Sequence, residues 1–100
     1  MKLQMYSIHF NADQTLLDFI QQKLNKLDTF FDKIIDGEVF LRLDNNNGVN
    51  NKIVEVKLFV PGQTLFTNQE SSSFENATDA ALDVLSRQLK KYKEKLITHQ

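Results

Sequence analysis

The sequence predicts an α+β fold, a two-layer sandwich with element order β-α-β-β-β-α in which two helices cover one face of a four-stranded sheet. Three observations lead to this prediction. Two long segments carry apolar residues at helical spacing, one before and one after a stretch of alternating residues. Turn sequences divide that central stretch into three strands. A segment of β-favouring residues before the first helix supplies the fourth strand.

Length and composition are those of one ordered domain, which we expect to span residues 1–100. Of the 100 residues, 41% are apolar and 25% are charged, so disorder is not expected. The absence of Cys excludes disulfides and thiolate metal sites. No apolar run approaches the roughly 20 residues of a membrane span, and none follows the N-terminus as in a signal peptide. We therefore expect a cytoplasmic protein that does not enter a membrane.

The first strand and first helix are predicted from their residue patterns. Residues 3–10 favour a strand, and Asp13 suits a helix N-cap because its carboxylate can accept from the free amides of the first turn. Apolar residues then recur at steps of four, four, three and four, on a helix that we expect to reach Asp32 or one turn beyond. Gly37 is expected to end it. The apolar face comprises Leu16, Ile20, Leu24, Leu27 and Phe31.

Three strands follow, at residues 38–44, 52–60 and 63–70, and form a predicted antiparallel meander. Asn and Gly at residues 45–48, and Pro and Gly at residues 61–62, favour the two turns. Alternation places Val39, Leu41 and Leu43 on the core face of the first of these strands. On the opposite face, left to solvent or to a partner, alternation places Phe40, Phe59, Phe66, Ile53, Arg42 and Lys57.

The last helix begins after the serines at residues 71–73, one of which suits an N-cap, and its apolar stripe reaches Leu96. The chain has a net charge of −1, yet residues 87–100 contain five Lys or Arg and one Glu. Arg87, Lys91 and Lys95 follow at i, i+4 and i+8, with Lys90 beside them. Such cations, roughly 6 Å apart per turn, can follow a phosphate backbone. The same pattern is typical of a solvated helix C-terminus that complements the helix dipole.

Two lysines of the first helix, Lys23 and Lys26, adjoin its apolar face. On their own they are typical of a solvated surface. If the two helices lie side by side on the sheet, however, these lysines extend the cations of the last helix into a wider basic patch. The predicted RNA-binding residues are therefore Lys23, Lys26, Arg87, Lys90, Lys91 and Lys95.

The sequence gives no indication of catalysis. His9 and His99 are the only histidines, and neither has a sequence neighbour suited to a catalytic or metal site. Asp28, Asp32 and Asp36 are spaced four apart but lack the oxygen-rich loop that binds calcium. The three glycines are isolated in turns and form no phosphate-binding loop. We expect no enzyme activity, no cofactor, no metal and no small-molecule substrate.

Several motifs are similar to those of a known family. Residues 85–93, Leu-Ser-Arg-Gln-Leu-Lys-Lys-Tyr-Lys, with Asp79 before them, resemble an acidic position followed by a Leu-x-Arg-Gln-Leu-x-Lys-x-Lys run. Weaker matches are residues 23–27, 54–56 and 60–65. The family is that of the ribosome hibernation-promoting factors, also called ribosome-associated inhibitors or sigma-factor modulation proteins. The resemblance covers nearly the whole chain, in the family's short form.

This resemblance implies a fold similar to double-stranded RNA-binding domains. It also implies docking in the channel of the small ribosomal subunit through which messenger and transfer RNA pass, with the predicted cations on phosphates of the 16S-type ribosomal RNA. Occupying that channel would exclude initiation and silence ribosomes in stationary phase or stress. The chain lacks a long C-terminal extension like the one with which long-form members pair ribosomes, so we do not expect it to pair them alone.

Two other interpretations stay open. The exposed aromatic face with Phe40, Phe59 and Phe66 suits a protein-interaction surface or weak homo-oligomerisation, although it also suits base stacking or cross-strand stabilisation. Dimerisation weakened by a polar substitution at Phe59 would favour self-association. Alternatively, the protein binds free duplex RNA by its shape. Equal affinity for bare hairpin RNA and for ribosomes would favour that interpretation.

Overall fold

The computed structural model describes residues 1–44 and 51–98, without the side chains of residues 97 and 98. The predicted turn at residues 45–48 and His99 lie outside the described residues. The predicted element order is confirmed. The elements are β1 (Leu3–Ser7), α1 (Gln14–Asn25), a short 3-10 helix (Lys26–Thr29), β2 (Asp36–Asp44), β3 (Asn51–Val60), β4 (Gln63–Ser71) and α2 (Phe74–Thr98).

The four strands form one sheet in the order β1-β2-β3-β4. The pairs β2–β3 and β3–β4 are antiparallel, as the predicted meander requires, whereas β1 pairs with β2 in parallel. A parallel pair needs a crossover, and α1 supplies it. Gly62 has φ of 78° in the turn between β3 and β4, a conformation that glycine adopts without a steric penalty.

Both helices cover the same face of the sheet, which confirms the predicted two-layer sandwich. Side chains from α1, α2 and the strands form one buried cluster, so the domain has a single core between its two layers. The fully buried apolar members of this cluster are Ile20, Leu24, Leu27, Val39, Leu41, Val54, Val56, Leu58, Ala77, Ala81, Leu85 and Leu89.

Both helices begin with the predicted caps. The backbone N–H of Leu16 donates to Oδ1 of Asp13 at 2.9 Å, and the N–H of Asn76 donates to Oγ of Ser73 at 3.1 Å. Each bond satisfies an amide that has no partner inside the helix. The start of each helix is therefore determined by local sequence.

The end of α1 differs from the prediction, which extended the helix to Asp32 or beyond. The α-helix ends at Asn25 and the 3-10 helix at Thr29. Phe31 then turns towards α2 and packs edge-on against Tyr92, with ring centroids 5.4 Å apart. The segment after Thr29 therefore packs the ring of Phe31 on Tyr92 and does not form the further helical turn that periodicity predicted.

The expectation that Gly37 ends the first helix is also wrong, because this residue lies within β2. Its N–H donates to the carbonyl of Lys2 at 3.0 Å. A Cβ atom here would lie 2.8 Å from both the Lys57 carbonyl oxygen and Cδ2 of Leu3. Glycine is needed at this position because neighbouring strands approach its backbone closely.

Three smaller predictions are corrected. Strand β1 ends at Ser7 instead of residue 10, because the backbone turns at His9, whose φ is 64°. Leu43 is 44% exposed because it lies two residues beyond Leu41, the last β2 residue paired with β1. Leu96 is 49% exposed because α2 continues past Tyr92, the last buried residue among its described side chains.

Candidate nucleic-acid interface

Helices α1 and α2 lie side by side and run in the same direction. Near the end of α1, Nζ of Lys23 is 3.2 Å from Oδ1 of Asp79, in the second turn of α2. Further along both chains, Phe31 contacts Tyr92. These contacts occur in the same order along both segments. Side chains of α1 therefore face the first turns of α2, whereas the residues from the 3-10 helix to Phe31 face its later turns.

Helix α2 consists of two halves of opposite charge. The acidic half, residues 74–86, contains three carboxylates and no Lys or Arg, and the basic half, residues 87–98, contains five Lys or Arg and one Glu. Acidic groups at the N-terminus and basic groups at the C-terminus both interact favourably with the helix dipole. This arrangement stabilises the helix, and it also concentrates the positive charge of the protein at one end.

Arg87, Lys90 and Lys91 form an exposed cationic ridge on the basic half. Together with Val84, Gln88 and Glu94 they line a shallow depression of about 450 Å³. The side chains of Lys90 and Lys91 have no hydrogen-bond or ion-pair partner within the described residues. The guanidinium of Arg87 donates to Oδ2 of Asp83 at 2.5 Å, in a pair with both side chains 69% exposed. Such exposed pairs within a helix exchange easily for another anion.

Lys95 extends this surface towards the edge of the sheet. Lys91 and Lys95 line a second groove, of about 320 Å³, with side chains of β4. Gln88 fixes the helix beside this groove by donating from Nε2 to the Phe66 carbonyl at 2.9 Å. Because α2 continues to Thr98, Lys95 lies within the helix, as the predicted i, i+4 and i+8 spacing of Arg87, Lys91 and Lys95 requires.

Lys23 lies in α1 and Lys26 begins the 3-10 helix, and both lie apart from the ridge. They line a separate depression of about 240 Å³ with Phe19 and Gln22. Lys23 contacts the acidic half of α2 through Asp79, about 12 Å along the axis before Arg87. Lys26 is closer to the basic half because the helices run in the same direction. The carboxylate of Asp79 partly neutralises the charge between the two groups.

One cation of this region, Lys93, was not among the predicted RNA-binding residues. Its Nζ donates to the Phe30 carbonyl at 2.5 Å, across the junction between α2 and the segment after the 3-10 helix. Together with Arg87, Lys90 and Glu94 it lines a groove whose floor includes Phe30. The sequence pattern that could have identified Lys93 is the spacing of Arg87, Lys90 and Lys93 at steps of three. Residues at this spacing are neighbours on the helix surface, along a row that winds towards α1.

The opposite face of the sheet carries the predicted aromatic side chains, but it is less open than expected. Phe66 is 45% exposed, whereas Phe40 and Phe59 are half-buried. The ring of Phe40 stacks on Tyr6 with centroids 5.1 Å apart, and the cations of Arg42 and Lys57 lie within 6 Å of its centre. Phe40 therefore contributes to cross-strand packing, which is the interpretation of this face that requires no ligand or partner.

The acidic residues Asp28, Asp32 and Asp36 do not share a helical face. Asp28 lies in the 3-10 helix, whereas Asp36 begins β2, because α1 ends earlier than predicted. Across residues 1–44 and 51–98, no three side chains of His, Asp or Glu are grouped so that they could hold a metal ion. In the same residues, no helix is long and apolar enough to cross a membrane.

The fold and this surface define a class of protein: a small α+β domain in which one helix presents a ridge of cations suited to a phosphate backbone. The family model described as "Sigma 54 modulation protein / S30EA ribosomal protein" matches residues 3–97. The chain therefore belongs to this family, which agrees with the resemblance drawn from residues 85–93.

Curated relatives are consistent with this assignment. The ribosome hibernation promoting factor of Pseudomonas putida is 35% identical over 95 residues, which cover 95% of this chain and 89% of that protein. The ribosome hibernation promoting factor of Escherichia coli K12 is 28% identical and matches 99% of this chain and all of that protein. A ribosome hibernation promotion factor of Deinococcus radiodurans is 33% identical, and there the match spans 50% of the longer protein.

Solved structures show the same fold. A ribosomal subunit interface protein from Coxiella burnetii superposes with a TM-score of 0.84 at 24% identity, covering 94% of this chain and 99% of that chain. The N-terminal domain of Protein Y from Thermus thermophilus superposes with a TM-score of 0.81 at 22% identity, covering 92% and 99%. At these identities the likeness concerns the fold alone.

Proposed function

We propose that this protein is a ribosome hibernation factor of the cytoplasm, a single domain that binds the small ribosomal subunit in the channel for messenger and transfer RNA. The exposed ridge formed by Arg87, Lys90 and Lys91 is the observation that carries the proposal. Membership of the family, and relatives named ribosome hibernation promoting factors, support it.

In this proposal the ridge binds phosphates of the 16S-type ribosomal RNA. Lys90 and Lys91 suit this role because neither must first break an ion pair within the described residues. Each phosphate contact releases condensed counterions, so binding strengthens as salt falls. Lys95 extends the contact towards β4, and Lys26 extends it towards α1. Lys23 contributes less because Asp79 already neutralises part of its charge.

The action we propose is occlusion without turnover. A domain with principal extents of 52 × 26 × 18 Å is large enough to occupy a channel that otherwise admits RNA. Its helices fix the backbone positions of the cations, so the conformational entropy lost when phosphates bind is mainly that of the exposed side chains. Translation stops because the path of the messenger is filled, and it resumes when the factor dissociates.

The direct test is co-sedimentation with purified ribosomes as a function of salt. We expect the double variant Arg87→Gln/Lys91→Gln to bind at least about tenfold more weakly than the wild type, because two phosphate contacts are lost. The matched control is Arg42→Gln/Lys57→Gln, which removes the same two side-chain types from the opposite face of the sheet. We expect its affinity to lie within about twofold of the wild type.

Two outcomes would contradict the proposal. Wild-type affinity of the Arg87→Gln/Lys91→Gln variant would exclude the ridge as the binding surface. A larger loss in the Arg42→Gln/Lys57→Gln control would assign binding to the aromatic face of the sheet. A parallel titration with a bare RNA hairpin separates a ribosome-specific factor from a general duplex-RNA binder, since only the latter binds both targets equally.

A further inference from the structure

Two consecutive aromatic residues after the 3-10 helix have different surroundings. Phe31 packs edge-on against Tyr92 with centroids 5.4 Å apart, whereas Phe30 points outward and is 50% exposed. A phenylalanine that is half exposed forgoes about half of the free energy of full burial, roughly 1 kcal/mol. The ring of Phe30 lies off the apolar face that contains Leu27 and Phe31, so the core of the domain does not use it.

The backbone of Phe30 is fixed on both sides. Its N–H donates to the Leu27 carbonyl at 3.0 Å, and its own carbonyl accepts from Nζ of Lys93 at 2.5 Å. The neighbouring Phe31 is held by Tyr92, whose hydroxyl donates to the Pro61 carbonyl at 2.6 Å. The exposed ring is therefore attached to a rigid backbone, and little entropy is lost if a ligand contacts it.

The ring of Phe30 forms part of a groove of about 420 Å³ between the 3-10 helix and α2. The groove volume falls in the range of small-molecule sites in proteins. Its remaining lining residues comprise three cations, one hydroxyl and one carboxylate. They are Arg87, Lys90, Lys93, Ser86 and Glu94.

A groove lined by one aromatic residue and by several cations matches one chemical class of ligand, an aromatic base that carries a phosphate. Planar bases stack on exposed aromatic rings irrespective of their identity. Three cations and one carboxylate give the groove a net positive charge. It therefore attracts phosphate and repels the cationic helix of a second copy of this protein. Lys90 has no ion-pair partner within the described residues and is therefore available for such a phosphate.

We propose that this groove binds one unstacked nucleotide of an RNA chain, with its base on the ring of Phe30 and its phosphate between Lys90 and Arg87. The inference rests on the proposed function, because ribosomal RNA would supply the nucleotide. It goes beyond phosphate contact by the ridge, since it assigns a base-binding site. Lys93 has a positioning role, because it holds the Phe30 carbonyl and thereby the ring.

Intrinsic fluorescence allows a direct test, because the protein contains no Trp. The Phe30→Trp variant places a single indole in the groove, and Tyr6→Trp places one on the opposite face of the sheet, at a residue that is 40% exposed. Both are titrated with a six-residue oligoadenylate, with an abasic oligonucleotide of equal phosphate number, and with AMP. We expect the oligoadenylate to quench the Phe30→Trp variant alone, because a base must stack on the indole to quench it.

Affinity measurements give the second readout. We expect Phe30→Leu to weaken oligoadenylate binding about tenfold and to leave binding of the abasic strand unchanged, because only the stacked base is lost. Phe30→Tyr should retain wild-type affinity, and Tyr6→Leu is the matched control. Equal quenching by the abasic strand, or unchanged oligoadenylate affinity of Phe30→Leu, would overturn the proposal. AMP binding as tight as the oligoadenylate would identify a free nucleotide as the ligand and would overturn RNA as its source.

Ribosome co-sedimentation separates this inference from the proposed function. Loss of affinity in both Phe30→Leu and Arg87→Gln/Lys91→Gln supports both. If only Arg87→Gln/Lys91→Gln loses ribosome affinity, the base-binding site is overturned and the hibernation proposal stays intact. No loss in either variant overturns both proposals together.

Discussion

The acidic half and the basic half of α2 share one continuous helix and one apolar stripe, but they relate differently to the rest of the domain. In the acidic half, Ala77, Ala81 and Leu85 are fully buried, and Asp79 contacts Lys23 of α1. In the basic half, Leu89 and Tyr92 are also buried, but Leu96, the last side chain that the structure describes, is 49% exposed.

This difference shows that core contacts become fewer along the helix while exposed cations become more frequent. The 25-residue helix is about 37 Å long, which is more than its core contacts require. The acidic half and the first turns of the basic half anchor the helix to the core, and Asp79 and Asp83 of the acidic half pair with cations of the protein itself. Lys90 and Lys91 of the basic half have no such partner within the described residues.

The largest effect is expected from the same substitution made in each half. Leu85→Ala should lower the free energy of unfolding by about 3 kcal/mol, because it leaves a cavity in the core. Leu96→Ala should lower it by less than about 0.5 kcal/mol, because half of that side chain is already in water. Urea unfolding followed by circular dichroism measures both values. Similar losses would show that the last turns of the basic half, beyond Tyr92, also anchor the fold.

The second prediction concerns the ionic strength dependence of ribosome binding. Lys90→Gln should weaken binding about tenfold, or about 1.4 kcal/mol, and reduce the slope of log K against log salt by about one. Lys57→Gln, on the opposite face of the sheet, should leave that slope unchanged. Affinities measured between about 50 and 200 mM salt give both slopes. An unaltered slope in Lys90→Gln would remove this residue from the phosphate contacts.

Loss of the N-cap of α2 should destabilise the acidic half of this helix more than the basic half. Ser73→Ala removes the acceptor of the Asn76 amide and should lower the free energy of unfolding by about 1 kcal/mol. Ser73→Asp retains an acceptor and should match the wild type. Urea unfolding gives the stabilities, and co-sedimentation should show unchanged ribosome affinity for both variants. A loss of affinity in Ser73→Ala would indicate that the two halves are coupled.

The smallest effect is expected from the ion pair that joins the two helices. Asp79→Asn should change the free energy of unfolding by less than about 0.5 kcal/mol, because both side chains of the pair are partly exposed. The substitution leaves Lys23 without its partner, so ribosome binding should become slightly tighter, by about twofold. Co-sedimentation at low salt detects this gain. Weaker binding would show that Asp79 itself contacts the ribosome.

Local features of the fold could be predicted from the sequence because their causes are local. Side chains of Asp13 and Ser73 cap nearby amides, and residue alternation determines which face of each strand is buried. The same periodicity failed beyond Asn25, since Phe31 packs on Tyr92, which is 61 residues away in sequence. The parallel pairing of β1 with β2 likewise could not be read from either strand alone.

For the candidate site, the spacing of Arg87, Lys90 and Lys91 was enough to predict a shared helical surface, and the structure places these three side chains around one depression. Spacing could not predict that Lys23 lies beside Asp79, because that contact depends on the axial position of one helix relative to the other. Whether these cations contact RNA stays a prediction.

The sequence by itself determined the order of the elements, their caps, their buried faces and the opposite charges of the two halves of α2. These features depend on residues close together in the chain, for which periodicity and capping are sufficient. Only the tertiary structure decided that the Phe30 carbonyl accepts from Lys93, that Gly37 belongs to a strand, and that Lys23 is near a carboxylate. These depend on contacts between distant segments, where packing outweighs local preference.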